Sequence, residues 1–201
     1  MIPFRSQLAI ASGNAGKIRE FAEYLAEFNL VLLPKPPAVD VEETGTTFLE
    51  NAQLKATAVA QAMGEWALAD DSGLEVAALG GAPGVYSSRY GVTDADRIAK
   101  LLAALGDATD RRGRFVCALA LADPSGRVVL AAEGHCDGEI LLTPRGTNGF
   151  GYDPVFWVPD LGLTFAEMTS AQKAVIGHRG RALAIFLPQL RSLSGMLRDC
   201  T

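Results

Sequence analysis

An α/β fold is predicted by three features of the 201-residue sequence. A short apolar strand runs through a glycine loop into an amphipathic helix over Leu8–Phe28, a helix and a buried strand follow one another over Thr47–Ala69, and a hairpin pattern over Phe115–Ala132 leads on to helical sequence. Leu8–Ser12 is the first strand. After Gly13–Lys17, the apolar residues Ile18, Phe21, Ala22, Leu25 and Phe28 recur at helical spacing. Leu30–Leu33 is a second apolar run, and Pro34–Pro37 turns the chain into an extended connector.

Thr47 and Glu50 stand three apart before Leu49, Ala52, Ala56, Val59, Ala60 and Met63, which predicts a capping box and a helix ending at Gly64. Trp66–Ala69 reads as a strand with Asp70, Asp71, Ser72 and Gly73 at its C-terminal end. Gly80–Gly84 is a turn. Thr93 and Asp96 open a helix carrying Ile98, Leu101, Leu102 and Leu105 on one face, with Gly106 as its stop. Phe115–Ala122, the turn Asp123–Gly126 and Arg127–Ala132 form a β-hairpin, with further strands at Glu139–Leu142 and Val155–Val158. Helical sequence at Ser170–Ile176 and Arg181–Leu187 closes the chain, and Pro188 is expected to interrupt or kink the last helix. With no repeat, polar linker or composition break, residues 1–201 read as one α/β domain with room for two lobes.

Composition narrows the function. A net charge of −5 argues against a general nucleic-acid binder, and 49% hydrophobic with 20% charged residues against a disordered chain. No apolar run is long enough to span a membrane, and Met1–Ser12, with Arg5 as its one charge, does not resemble a signal peptide. Cys117, Cys136 and Cys200 are widely spaced, which fits buried thiols in a reducing compartment and predicts a cytoplasmic protein.

Ser12, Gly13, Asn14, Ala15, Gly16 and Lys17 join a strand to a helix N-terminus. Backbone N–H groups in such a loop are aimed at anions, and Lys17 adds a mobile cation. The segment is neither a Walker loop nor a dinucleotide fingerprint, and an ordinary strand-to-helix turn is the plainer alternative. Asp70 and Asp71 point to opposite sides of an extended strand, so one of them faces a given site. With Glu42 or Glu43, that carboxylate can hold Mg²⁺, a hard cation that prefers oxygen ligands and substrate phosphates, although Asp-Asp-Ser-Gly is also good turn chemistry. Lys55, Arg89, Lys173, His178 and Arg179 are scattered bases. Beside them, Phe150 and Tyr152 in the glycine-dense loop Gly146–Asp153 can flank a planar base, and His178 and Arg179 can donate to its edge.

Together and in this order, these segments resemble the inosine triphosphate pyrophosphatases. The resemblance spans almost the whole chain. It rests on Ser12–Lys17, Glu42–Gly45, Phe48–Ala52 with Lys55, Ala69–Leu74, Gly80–Gly84, Ser88–Tyr90, Phe150–Pro154, Ala166–Met168, Lys173 and His178–Gly180. It implies a mixed, elongated central sheet with flanking helices and two lobes around a substrate cleft, in a homodimer. It also implies Mg²⁺-dependent hydrolysis of ITP, dITP and XTP to the monophosphate and pyrophosphate, which cleanses the nucleotide pool. By matching motif, Ser12–Lys17 would bind phosphates, Asp71 would be the general base and metal-linked carboxylate, and Ser72 would touch the nucleotide; charge neutralisation in phosphoryl transfer adds Lys55 beside Lys17 on the phosphates. Phe150, Gly151, Tyr152, Asp153, Lys173, His178 and Arg179 would form the nucleoside side. Asn148 and Gly177 depart from the family's usual Gly and Ser and remove no charge. A pyrophosphatase of the Maf type and a non-catalytic nucleotide sensor are the rival readings. The segments at Phe150–Asp153 and His178–Arg179 oppose the first, and Asp71 with Glu42 and Glu43 opposes the second.

Overall fold

The computed structural model describes residues 7–28 and 30–198, with backbone alone for Ala15 and residues 194–198. These residues form two compact units. The first takes the described residues of Met1–Asp71, Ala118–Glu133 and Ala182–Thr201, and the second takes Ser72–Cys117 and Gly134–Arg181.

In the first unit, β1 (Gln7–Ile10) pairs in parallel with β2 (Val31–Pro34) and with the start of β3 (Ala67–Val76), in register Gln7 to Val31 and Ala9 to Ala67. Leu8, Ala9 and Ile10 are all buried, as are Trp66–Ala69. A parallel strand covered on both faces must read as a continuous apolar run, which is why these segments show no alternation. α1 (Ala15–Leu25) starts at the Asn14 cap and buries Phe21 and Leu25. α2 (Phe48–Met63) has the expected capping box: Thr47 Oγ1 accepts from Glu50 N, Glu50 Oε2 accepts from Thr47 N, and Gly64 ends the helix in the left-handed region at φ 64°. Ala52, Ala56 and Ala60, spaced one turn apart, are fully buried and give the helix a small-residue face for close packing.

The second unit holds α3 (Asp94–Leu105), β6 (Phe156–Val158), β7 (Leu163–Thr164) and α4 (Ser170–Ile176). Its core gathers Leu74, Val76, Leu101, Phe115, Ile140, Phe156 and Phe165. β4 (Arg112–Ala122) and β5 (Val128–Ile140) pass through both units, as does α5 (His178–Arg198). Among the described residues the strands pair in the order β2-β1-β3-β4-β5-β6-β7, parallel at β1 and antiparallel at β6, so the sheet is mixed as expected.

Three expectations need correction, and one strand went unpredicted. Asp70–Gly73 do not end a strand; β3 continues through them to Val76, because each carboxylate meets a lysine and can stay buried in extended backbone. Glu139–Leu142 is not a separate strand, since Glu139 and Ile140 finish the 13-residue β5, whose alternating burial from Ala132 marks one exposed face. The two-residue β7 was too short to show in the sequence. The last helix begins at His178, not Arg181, and of the two outcomes expected at Pro188 an interruption does not occur; Gln189 Nε2 donates to Ile185 O at 3.0 Å in the turn that the proline ring disturbs.

Cys117 and Cys136 are buried and in no disulfide, and burial pushes the Cys136 thiol up to about 11. Cys200 and the N-terminal residues 1–6 lie outside the described residues. In a Cys200→Ser background, the native protein is therefore expected to resist a thiol reagent at pH about 8 and to titrate two thiols once unfolded, as read by 2-nitro-5-thiobenzoate release. No helix among the described residues is long and apolar enough to cross a membrane.

Candidate active site

Two buried carboxylates on β3 are each met by a lysine from a different helix. Lys17, in the first turn of α1, lies 2.7 Å from Asp70 Oδ1, and Lys55 of α2 lies 2.6 Å from Asp71 Oδ1. Lys55 also donates to Glu43 Oε1 at 2.8 Å. The side chains of Asp70 and Asp71 are 0% and 9% exposed, so these pairs act at low local dielectric where charge interactions are strong. Burial pushes the Asp71 carboxyl above the usual aspartate range, Lys55 and Lys17 oppose that shift, and Glu43 adds to it. Burial works against the charge on Lys55, but Asp71 and Asp70 outweigh it and hold the ammonium above the ordinary lysine range.

Asn51 completes this cluster. It stands one helical turn before Lys55, is fully buried, donates from Nδ2 to Asp71 Oδ2 at 3.4 Å and accepts from Gly45 N at 2.8 Å. It thereby ties the loop bearing Glu43 to the carboxylate. The structure brings Glu43 into the group and leaves Glu42 exposed. Among the described residues no three His, Cys, Asp or Glu side chains gather as a metal-ligand set. Asp71 and Glu43, both against one ammonium, form a two-carboxylate oxygen set. That suits a hard cation which takes its remaining ligands from water and substrate phosphates.

The glycine loop is organised from within. Asn14 Oδ1 accepts from Gly16 N at 2.8 Å and Lys17 N at 3.3 Å, while Ser12 Oγ accepts from Asn14 N at 3.1 Å. The expectation that these N–H groups wait open for phosphate is therefore adjusted: three of them are held by the loop's own side chains, which set its shape. Gly13 and Asn14 are exposed, Ser12 half-buried, and Ala15 begins the helix.

In the second unit, Lys173 of α4 lies 2.6 Å from Asp153 Oδ2, with its ammonium 5.3 Å from the Phe150 ring centroid and 5.4 Å from that of Phe165. His178 stacks on Phe115 with centroids 4.7 Å apart and planes within 12°. Arg179 is buried and donates from Nη2 to Ser72 Oγ at 3.0 Å. Phe165 packs near both Lys173 and His178, a bridging role no motif revealed. Phe150 is half-buried. Tyr152 is anchored: its ring lies in the core and its hydroxyl donates to Ser87 O at 2.9 Å.

The first turn of α5, which carries His178 and Arg179, rests directly on α4. A Cβ on Gly180 would lie 1.7 Å from Ala174 O. Gly180→Ala is accordingly expected to destabilise by about 3 kcal/mol, roughly 10 °C in Tm by thermal melting, and to raise KM by displacing Arg179.

The Ham1 family profile matches residues 8–189. A protein named dITP/XTP pyrophosphatase from Synechococcus sp. (strain CC9311) is 61% identical over 186 residues, covering 92% of this chain and 90% of the relative. One of the same name from Nostoc sp. (strain PCC 7120 / SAG 25.82 / UTEX 2576) is 54% identical, covering 92% and 95%. The solved Ham1 protein of Staphylococcus aureus superposes with a TM-score of 0.80 at 41% identity, covering 97% of this chain and 100% of that one. A HAM1 protein from Coxiella burnetii gives 0.81 at 44%, covering 96% and 98%. With nearly its whole length matched at such identity, the chain belongs to the Ham1 family.

Proposed function

We propose that this protein hydrolyses deaminated purine nucleoside triphosphates, ITP, dITP and XTP, to the monophosphate and pyrophosphate, with residues 1–201 acting as one catalytic domain. The observation that carries the reading is the pair of buried aspartates, Asp70 and Asp71, met by Lys17, Lys55 and Glu43 beside a glycine loop. Phosphoryl transfer needs positioning and charge neutralisation more than covalent chemistry, and this group supplies both. Lys17 and Lys55 neutralise phosphate oxygens. Asp71 orients and deprotonates the water that attacks the α-phosphorus, and burial raises its basicity toward the working pH. Asp71 and Glu43 would hold Mg²⁺, which when bound neutralises charge on the pyrophosphate leaving group.

Selectivity follows from hydrogen-bond chemistry. Hypoxanthine and xanthine carry an acceptor at the 6-position where adenine carries a donor, so donors such as Arg179, fixed by Ser72, favour the oxo bases. Phe150, under the Lys173 ammonium, gives the base a stacking surface. Guanine shares the 6-oxo group, so its rejection falls to the 2-position or to pocket shape.

Pyrophosphate release from dITP, XTP, ATP and GTP, with and without Mg²⁺, tests the proposal. A kcat/KM preference of about 10²–10⁴ for dITP and XTP, dependent on Mg²⁺, is expected. Equal rates on all four, or binding without release, overturns it. Two buried cysteines outside any disulfide suit a cytoplasmic enzyme. The homodimer that the family resemblance implies is tested by sedimentation, with a mass of twice 21.2 kDa expected.

A further inference from the structure

Both backbone N–H groups that flank the Phe150 side chain are taken by carboxylates from different parts of the second unit. Phe150 N donates to Asp153 Oδ2 at 2.9 Å, and Gly151 N donates to Asp94 Oδ2 at 2.7 Å. Asp153 lies in the same loop. Asp94 is 57 residues away in sequence, in the first turn of α3, and its other oxygen pairs with Arg97 Nη1 at 2.5 Å. The loop needs such fixing, because Gly149 and Gly151 on either side of Phe150 have φ of +79° and +62° and lack the side chains that would hold it by packing.

The plain account of an acid in a first helical turn is that it serves the helix's own N-terminus. Other residues already do that here. Thr93 Oγ1 accepts from Asp96 N, and Asp96 Oδ2 accepts from Val92 N. Asp94 is left to reach the aromatic loop. Arg97 balances its charge and holds its plane, so the second oxygen stays aimed at Gly151.

We infer that Asp94 is a positioning residue for base selection: by holding the Gly151 peptide, it sets the pose of Phe150, the ring on which the purine stacks. The inference rests on the reading above that Phe150 meets the base. A carboxylate acceptor on a backbone N–H is among the stronger single hydrogen bonds, and its loss frees the Phe150–Gly151 peptide to rotate between the two glycines. Purine stacking then weakens, while the group around Asp71, built from other residues, is untouched.

Three variants test this: Asp94→Ala, Asp94→Asn, which keeps an oxygen for Gly151 N, and Asp96→Ala, which weakens the α3 terminus without touching the loop. For Asp94→Ala, KM for dITP is expected to rise about tenfold with kcat changed less than about threefold, and the preference for dITP over dATP to shrink. Asp94→Asn should recover most of the loss, and Asp96→Ala should leave KM unchanged. An unaltered KM in Asp94→Ala, no recovery in Asp94→Asn, or an equal rise in Asp96→Ala overturns the inference. Amide hydrogen exchange in the ligand-free protein gives a readout independent of substrate: Gly151 N–H should exchange faster in Asp94→Ala, and unchanged exchange also overturns it. If instead the wild-type protein shows no preference for dITP, the proposed substrate class has failed, and the exchange measurement still decides whether Asp94 holds the loop.

Discussion

Asp71→Asn is expected to lower kcat about 10³-fold while the protein stays folded, as read by pyrophosphate release and thermal melting. The substitution is isosteric and removes one charge and one proton acceptor. The Asn side-chain oxygen can still accept from Lys55, which keeps Glu43 at 2.8 Å as a charged partner, so no buried ammonium is stranded, and the bond given up is the long one from Asn51 Nδ2 at 3.4 Å. Tm should therefore move by only a few degrees, as expected for a change well short of a broken buried pair. Near-normal turnover by the folded variant would remove Asp71 from the mechanism. Raising Mg²⁺ separates the two duties of the carboxylate: activity that returns with metal marks ligation, and activity that does not marks proton transfer.

Lys55→Met should be damaging in a different way. Methionine keeps the stem's length and apolar volume and deletes the ammonium between Asp71 and Glu43, leaving two carboxylates with no shared cation. Breaking a buried pair on one side costs about 3–5 kcal/mol, and the 13% exposure of the Lys55 side chain places this loss toward the lower end. kcat/KM should fall about 10²–10³-fold through loss of phosphate neutralisation. The pH dependence carries the more specific signature. Burial already places the Asp71 carboxyl above its ordinary 3.8, and Lys55 is the largest influence holding it down, so removing Lys55 raises it further. The acid limb of the kcat/KM profile should then move to higher pH. Stability follows the same sign: a carboxyl with a raised folded pKa contributes stability that is complete below its unfolded pKa and is lost as pH rises through the folded one. The variant should thus lose more stability than wild type between acidic and neutral pH, measured by urea melts at each pH. A profile and a pH–stability curve that superpose on wild type would show that Lys55 does not govern Asp71.

Much of the site was readable where chemistry follows from local spacing. The Thr47–Glu50 capping box and the stop at Gly64 place α2, and the helical phase then puts Lys55 on a defined stripe. The Asp70–Asp71 pair announced itself as two carboxylates in an apolar setting. What could not be read was pairing across distance. Asn51 gave only the weak signal of an amide among buried alanines, one turn from Lys55, and its bond to Asp71 depends on how α2 lies against β3. The choice between Glu43 and Glu42 turned on which side chain the loop directs toward Lys55, a matter of backbone course rather than residue type. The anchoring of Tyr152 was hidden for a related reason: an aromatic in a glycine-rich loop suits a base or a core equally, and its partner Ser87 is 65 residues away.

The sequence by itself determined the α/β class, the helix caps, the apolar runs of β1 and β3 and the set of charged groups. Each of these depends on residue identity and on neighbours within a turn or a strand. The tertiary structure alone decided that β3 carries its acids through the sheet instead of ending at them, that each acid has its own lysine, and that Asp94 reaches the Phe150 loop. Those outcomes depend on burial. A carboxylate can remain inside a strand only where a cation from another element meets it, and that meeting is a property of the packed molecule.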